Sequence, residues 1–406
     1  MQAKTYDIII AGDFRLTGGT SSAIAAEIQT YSSAGLSIAL LPLVAHFFPQ
    51  EQPTHKELRQ LIDDLAIPIV TKGGGPYSCS LLLLHNPMVL QHAPLDGFDI
   101  RSKYRVIIAH HVPLSPSGML NYNPWRIEAA VQAAFGGPAV WAPTSPVCRD
   151  RFRALAFDLP ILASDWHNVI RVEDWGDPRD APRFDRISIG RHSRPDPDKW
   201  PDSREDFLAA YPDAEDIDVH FLGAETFFEQ KLGRIPRHWH LYPFGQVSPR
   251  AFLGKIDFFV YFHHPETIEA FGRAAIEAAA AGCVLILPQY LQPTFGPGSI
   301  YCEPADVRNV LRHLHGDRTA FGRQSLAGYD HVRVHFGPQS VLALCTATME
   351  HPQVDTDMLD YSKTVPGALR RTHARFLNRL KSRWQSFSQP KPKTSATVPA
   401  SRGFIA

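Results

Sequence analysis

This 406-residue chain carries no formal net charge: its 41 basic and 41 acidic residues cancel. No global field therefore draws it to nucleic acid. Cysteine is scarce, with five at 79, 148, 283, 302 and 345. The odd count and scattered spacing exclude a disulfide framework and a zinc cluster, and fit reduced thiols in a cytoplasmic protein. No apolar stretch approaches the roughly 20 residues that cross a bilayer. The opening MQAKTYDIIIAGD has only a short apolar run, which reads as a buried strand rather than a signal peptide. The GxGxxG dinucleotide fingerprint is missing. Acidic residues vanish altogether after residue 360.

What is present suffices for sizeable cores: 44% of residues are hydrophobic, and the length suits two or three domains. Residues 7–11, 21–34 and 36–43 read as strand, helix and strand, a βαβ unit with the Gly-rich first turn GDFRLTGGT. Gly18 and Gly19 in that turn either let the backbone approach a phosphate or only permit positive φ. Helices are expected at 56–65, 126–135 and 145–155, and strands at 67–71, 80–85, 105–111 and 139–142. The strands at 80–85 and 105–111 end in histidine, at the edge where open α/β sheets bind ligands. His110 and His111 both fit such a site, and His85 is a weaker candidate. A Pro- and Asp-rich segment at 174–185 marks a boundary, giving units 1–178, 179–350 and 351–406. Strands follow at 186–190, 219–222, 240–244, 258–262, 284–287 and 300–304, with helices at 307–314 and 336–349.

The densest chemistry lies in residues 265–288, PETIEAFGRAAIEAAAAGCVLILP. Its Ala, Glu and Arg predict a helix over 271–281. Gly282 suits the stop, and the apolar run 284–287 reads as a buried parallel strand. Phe271 and Gly272 then fall at the helix start, where free N–H groups and the dipole favour an anion. Glu269 precedes the helix and Glu277 lies inside it. Two acids flanking an anion site suit a nucleotide-sugar pocket.

That stretch resembles the E-x7-E signature of the GT4 family, retaining glycosyltransferases with the two-domain GT-B fold. Glu269, Phe271, Gly272, Glu277, Ala278 and Gly282 stand at the family's offsets. The resemblance implies two doubly wound Rossmann-like domains facing across a cleft, an acceptor domain and a donor domain. It implies that Glu277 contacts the donor ribose and Glu269 the donor sugar hydroxyls. Gly18 and Gly19 would lie near the donor phosphates, and His110 or His111 near the reacting centre, with His111 favoured because the family's histidine usually begins the loop. Residue 190 ends a strand as Gly-Arg does in the family, which implies Arg191 and Lys199 on the diphosphate. The gap of eight exceeds the family's, so either Asp-Pro-Asp is inserted or Arg194 is the second cation. Catalysis in this family is commonly thought to use front-face attack with the departing phosphate as base, so Glu269 is not assigned as nucleophile. The resemblance implies no cofactor and no metal beyond the nucleotide-sugar substrate, and the D-x-D triplets at 196–198 and 216–218 read as turns.

The last segment differs. Residues 361–406 hold ten Lys or Arg. Leu369, Phe376, Leu377, Leu380, Trp384 and Phe387 share a helical face, with arginines elsewhere around it. Contact with an anionic membrane surface through 369–387, docking on the protein, and disorder all stand open. The expected function is transfer of a hexose from a nucleotide-sugar to a glycan or lipid-linked acceptor with retention. The expected location is cytoplasmic, with peripheral attachment to the inner membrane face if the basic segment binds lipid. The alternatives are a catalytically silent GT-B recognition module and, less favoured, a sugar-nucleotide epimerase.

Overall fold

The computed structural model describes residues 2–364, apart from 48, 50, 156 and 224–226. The basic segment expected at 369–387 lies outside the described residues.

The first half runs β1 (Lys4–Gly12), α1 (Gly19–Ser33), β2 (Ile38–Pro42), α2 (Lys56–Asp64), β3 (Tyr77–His85), α3 (Pro87–His92), β4 (Ile100–Ala109), α4 (Pro124–Phe135), β5 (Val140–Pro143) and α5 (Pro146–Ala154). Its five strands pair in parallel in the order β2-β1-β3-β4-β5. The period-2 geometry of a strand sends alternate side chains to opposite faces. Ile9, Leu82, Leu84 and Ile107 accordingly enter one core, while Ile8, Ile10, Leu81 and Leu83 enter another. Helices cover both faces, so these strands read as continuous apolar runs rather than alternating ones. Each fully buried Ile or Leu contributes about 1.5–3 kcal/mol.

The second half runs β6 (Ile187–His192), α6 (Arg204–Ala210), β7 (Ile217–Leu222), α7 (Phe227–Leu232), β8 (Trp239–Tyr242), α8 (Pro249–Leu253), β9 (Phe258–Val260), α9 (Arg273–Ala280), β10 (Val284–Leu287), α10 (Gln292–Phe295), β11 (Ile300–Tyr301), α11 (Val307–Gly316) and α12 (Arg318–His335). The sheet order is β11-β10-β9-β6-β7-β8, again with parallel pairs. Counted from β6, this is the doubly wound 3-2-1-4-5-6 order, whose switch point falls between β6 and β9. Gly190 in β6 must be glycine, because a Cβ there would stand 2.5 Å from the His220 carbonyl oxygen of β7.

The chain closes with α13 (Pro338–Glu350) and α14 (Thr356–Thr364). The helix read at 336–349 is α13, which returns to the first half and packs on α1, β3 and β4. The two crossings between halves are joined: the Ile170 amide donates to the Phe336 carbonyl at 2.8 Å.

Two expectations need correction. Residues 67–71 form no strand; an isolated bridge, Leu40 to Ile69, and a hydrogen bond from the Thr71 amide to the Tyr77 hydroxyl join them to the sheet. The 18-residue α12 was not foreseen, since Gly322 and Gly328 depress helix propensity. Both glycines admit close backbone, Asp180 beside Gly322 and Gly298 beside Gly328.

Among the described residues no helix is long and apolar enough to cross a membrane. All five cysteines are free thiols.

Candidate functional site

The carboxyl ends of β6 and β9 face the start of α1 and the end of β4 across the cleft between the two sheets. Gly18 lies against Arg194, so that a Cβ on it would sit 3.5 Å from Arg194 Cδ, and a Cβ on Gly19 would sit 3.2 Å from Arg273 Cβ. Arg273 Nη1 donates to the Val169 carbonyl at 2.6 Å. Ser145, which caps α5, also donates to the Ala270 carbonyl. The two halves therefore meet around the segment that begins at Glu269.

Glu269 sits in the loop after β9, with 16% of its side chain exposed. Three groups converge on its Oε2: Lys199 Nζ at 2.9 Å, the Tyr261 hydroxyl at 2.9 Å, and His263 Nε2 at 3.5 Å. The Glu269 amide donates to the Tyr290 hydroxyl at 3.2 Å. Burial pushes this carboxyl up, but Lys199 and His263 together outweigh burial and hold it well below the usual range. Glu269 is thus a fixed carboxylate with Oε1 outside these three contacts.

Glu277 is the fifth residue of α9, with 8% of its side chain exposed. Arg273, one turn earlier, donates from Nε to its Oε1 at 2.9 Å. His192, the last residue of β6, brings Nε2 to 3.5 Å from Oε2. Burial raises the Glu277 carboxyl against the opposing pull of Arg273. Glu57 of α2, from the other half, is also raised by burial and feels both Arg273 and Glu277.

The helix between the two acids starts later than expected, at Arg273. Gly272 is its N-cap, with φ 96 and ψ 53 in the left-handed region and no capping side chain. A helix start of this kind leaves its first amides without intrahelical acceptors. The Phe271 side chain is not part of that surface. It is 3% exposed and packs on Phe336 and His167.

His111 follows β4 and reaches solvent in the cleft. The protein around its ring pushes its pKa down to about 4; Lys199 and Arg194 add to that and Glu269 opposes it. His110 is half-buried and turned to His85, with Nε2 3.0 Å from His85 Nδ1. The structure thus sets His111 towards the Lys199–Glu269 pair, and His110 towards the core.

Arg191 departs from the expectation. It is 0% exposed, its guanidinium lies 4.7 Å from the Trp200 ring centroid and 4.2 Å from that of Tyr261, and Nη1 donates to the Phe262 carbonyl. Its Nε and Nη2 have no hydrogen-bond partner, yet the side chain is enclosed, so in this conformation a diphosphate does not reach it. Lys199, in the turn at Pro197–Lys199, is held by Glu269, while Arg194 is exposed beside Gly18.

The D-x-D triplets are engaged elsewhere. Asp196 caps the turn before Lys199, Asp216 pairs with Arg312, and Asp218 pairs with Arg186. Among the described residues no cluster of His, Cys, Asp or Glu has the placement to hold a metal ion.

Tyr261, His263, Tyr290, His192 and Arg273 were missed from sequence. Arg273 was within reach, because its i,i+4 spacing to Glu277 is a legible helical pair. His263 and Tyr261 stand just before the signature, at the end of a buried strand. His192 and Tyr290 carry no local signal.

Neither a protein-family model nor a curated protein sequence matches this chain. Solved structures do. HepE from Anabaena, in complex with UDP and glucose, is similar at 12% identity and TM-score 0.60, covering 85% of this chain and 99% of that one. A glycosyltransferase from Rickettsia africae is similar at 12% identity and TM-score 0.59, covering 85% and 98%. An alpha-glucosyltransferase in complex with UDP and a 13-mer DNA is similar at 11% identity and TM-score 0.55, covering 85% and 100%. At such identities the likeness carries the architecture: two Rossmann-like domains in the GT-B arrangement.

Proposed function

We propose that this chain is a GT4-like glycosyltransferase that moves a hexose from a nucleotide-sugar to a glycan or lipid-linked acceptor with retention of configuration and without a resident metal. The observation that carries the reading is the placement of Glu269 and Glu277. Each is tied to a cation, and the start of α9, capped by Gly272, lies between them in the sequence. A sugar offers hydroxyl donors, and an ionised carboxylate is an acceptor with more than one lone-pair direction. Glu269 then accepts from the donor sugar and Glu277 from the ribose. The diphosphate rests on the α9 amides, near Gly18 and Gly19, with Lys199 and Arg194 as its cations in place of Arg191. Positive charge at that place stabilises the negative charge that grows on the leaving diphosphate. His111, held neutral, has a lone pair and an N–H to offer the reacting sugar or the acceptor hydroxyl.

Support from outside the chain is architectural. The GT-B structures that resemble it include one described with UDP and glucose, so UDP-glucose is the first donor to try. The test is release of UDP, GDP or ADP from a panel of nucleotide-sugars, with and without saccharide and lipid-linked acceptors. Acceptor-dependent release supports the proposal. Epimerised donor without acceptor would support the isomerase alternative. The enclosure of Arg191 favours one second reading, a recognition module that has lost turnover. Tight nucleotide-sugar binding with no release from any donor would select it. Attachment to anionic lipid remains part of the proposal, resting on the basic residues of 369–387.

A further inference from the structure

Arg191 occupies a place that the proposed chemistry leaves unexplained. It leaves β6 on the side of Ile187 and Ile189, whose core also holds Trp200. Tyr261, the first residue after β9, belongs to the core of the opposite face, because side chains alternate from Phe258 onward. β6 and β9 are neighbours in the sheet, so the guanidinium lies at their carboxyl edge, where the two cores meet. It stands 4.7 Å from the Trp200 ring centroid and 4.2 Å from that of Tyr261. Its Nη1 donates to the carbonyl of Phe262, the next residue along.

Both rings lead to one atom. The Tyr261 hydroxyl donates to Glu269 Oε2 at 2.9 Å. Trp200 directly follows Lys199, whose Nζ stands 2.9 Å from the same oxygen. Burial and Glu269 raise the Tyr261 phenol well above its ordinary value, and Arg191 opposes them, which strengthens the hydroxyl as a donor.

A buried cation is costly, and an apolar side chain would pack beside these rings without that cost. Arg191 therefore needs a reason beyond packing. Two aromatic faces answer its charge. Its Nε and Nη2 have no partner, as a concealed phosphate ligand would show. Uncovering them would require Trp200 to move, and Trp200 is 0% exposed, with the rings of Phe221 and Phe228 at 5.4 and 5.1 Å. The packing favours a stacked role over a hidden one.

We propose that Arg191 is a positioning residue that ties the turn carrying Lys199 to the strand end carrying Tyr261, so that both donors meet on Glu269 Oε2 and Oε1 is left for a hydroxyl of the donor sugar. The use of Oε1 rests on the glycosyltransferase reading; the tie itself does not. This role differs from the one that family resemblance implies for the residue.

Two substitutions separate the roles, because lysine replaces a phosphate cation but not a stacked one. An ammonium binds phosphate as a point charge, whereas it lacks the planar face that lies on both rings. Arg191→Lys should lower kcat about 10- to 100-fold with UDP-glucose, or whichever donor the panel selects. Its affinity for UDP, or the matching nucleoside diphosphate, should stay within about twofold by calorimetry. Arg191→Met, whose flexible thioether suits an aromatic slot, should keep that affinity too. A loss of about tenfold or more in UDP affinity in Arg191→Met, with Arg191→Lys close to wild type, would overturn the proposal in favour of a phosphate ligand. Unchanged kcat in both variants would overturn it as well. Tyr261→Phe keeps the ring and removes the hydroxyl. Combined with Arg191→Lys it should cost less than the product of the two single losses, since both act on one oxygen. The full product would mean that Arg191 acts elsewhere. Crystal structures of the wild type and Arg191→Lys read the tie without turnover. In the variant the Tyr261 hydroxyl or Lys199 Nζ should lie beyond hydrogen-bond reach of Glu269 Oε2, about 3.5 Å. Both contacts intact would overturn the proposal. A wild-type chain that turns over no donor strikes at the transferase reading instead, and the two crystal structures then decide the tie.

Discussion

Lys199 and Glu269, 70 positions apart in the sequence, form a half-buried pair with Nζ 2.9 Å from Oε2. The pair ties the turn after β6 to the loop after β9, on either side of the switch point of the second sheet. A cation already committed to a carboxylate has its charge divided between that partner and an incoming diphosphate. In the proposed reading Lys199 therefore both shapes the resting pocket and takes part in binding.

Glu269→Gln should lower turnover more than binding. The amide keeps the shape but loses the charge that Lys199 and Tyr261 answer. Loss of one charge-assisted hydrogen bond to the sugar is worth roughly 10- to 100-fold in kcat. Nucleoside diphosphate release and calorimetric binding, measured side by side, check the split. Wild-type kinetics would contradict the assignment.

Glu277→Ala should do the reverse, weakening donor binding by about tenfold or more with less effect on kcat. It removes the acceptor proposed for the ribose and leaves Arg273 without its partner one turn along α9. Titration with the donor and with the free nucleoside diphosphate should show the same loss, because both carry the ribose.

Gly19→Val probes closure. A Cβ at this position already stands 3.2 Å from Arg273 Cβ, so the branched side chain wedges the halves apart. Gly19 is exposed at the helix start, so the stability change should stay within about 0.5 kcal/mol. Turnover should drop on the order of a hundredfold, as expected when reacting groups are displaced by about 1 Å. Thermal unfolding and turnover together separate a wedge from a folding defect.

Stability should fall with acid before any carboxylate titrates. Burial, with Arg191 nearby, pushes His192 and His263 down to about 3 each. The unfolded chain takes up those protons near pH 6.5 and the folded chain does not. Between those limits the unfolded state binds more protons, so stability is full above pH 6.5 and decreases as pH falls. The slope is up to about 1.4 kcal/mol per pH unit per histidine. Glu277, Glu57, Glu128, Asp165 and Asp257, whose carboxyls burial raises, oppose this as they take up protons ahead of the unfolded chain. Tm measured from pH 7 to 5 should show the decline, and His192→Gln should make it shallower.

The legible part of this protein was local. Residues 265–288 contain a loop acid, a Gly-capped helix and a buried strand in one continuous piece, so their chemistry and fold could be read together. The same holds for β1, α1 and β2, whose ends fell within a few residues of expectation. Arg191 misled because every residue of β6 is buried. Its cover, Trp200 and Tyr261, comes from two other segments, and no strand pattern reveals that. His85 was read as a weaker site candidate at a strand end, and Glu27 not at all, because each gains meaning from a neighbour on another element. The α12 helix escaped because its glycines serve backbone contacts with Asp180 and Gly298.

The hydrogen bond from Ile170 to Phe336 has a mechanical result. The polypeptide bridges the halves twice, and the bridges are fastened to each other where Phe336 meets the ring of His167 at 5.0 Å. A double strap of this kind resists twisting and sliding but still allows rocking. Any opening between the halves would then pivot about this fastened end.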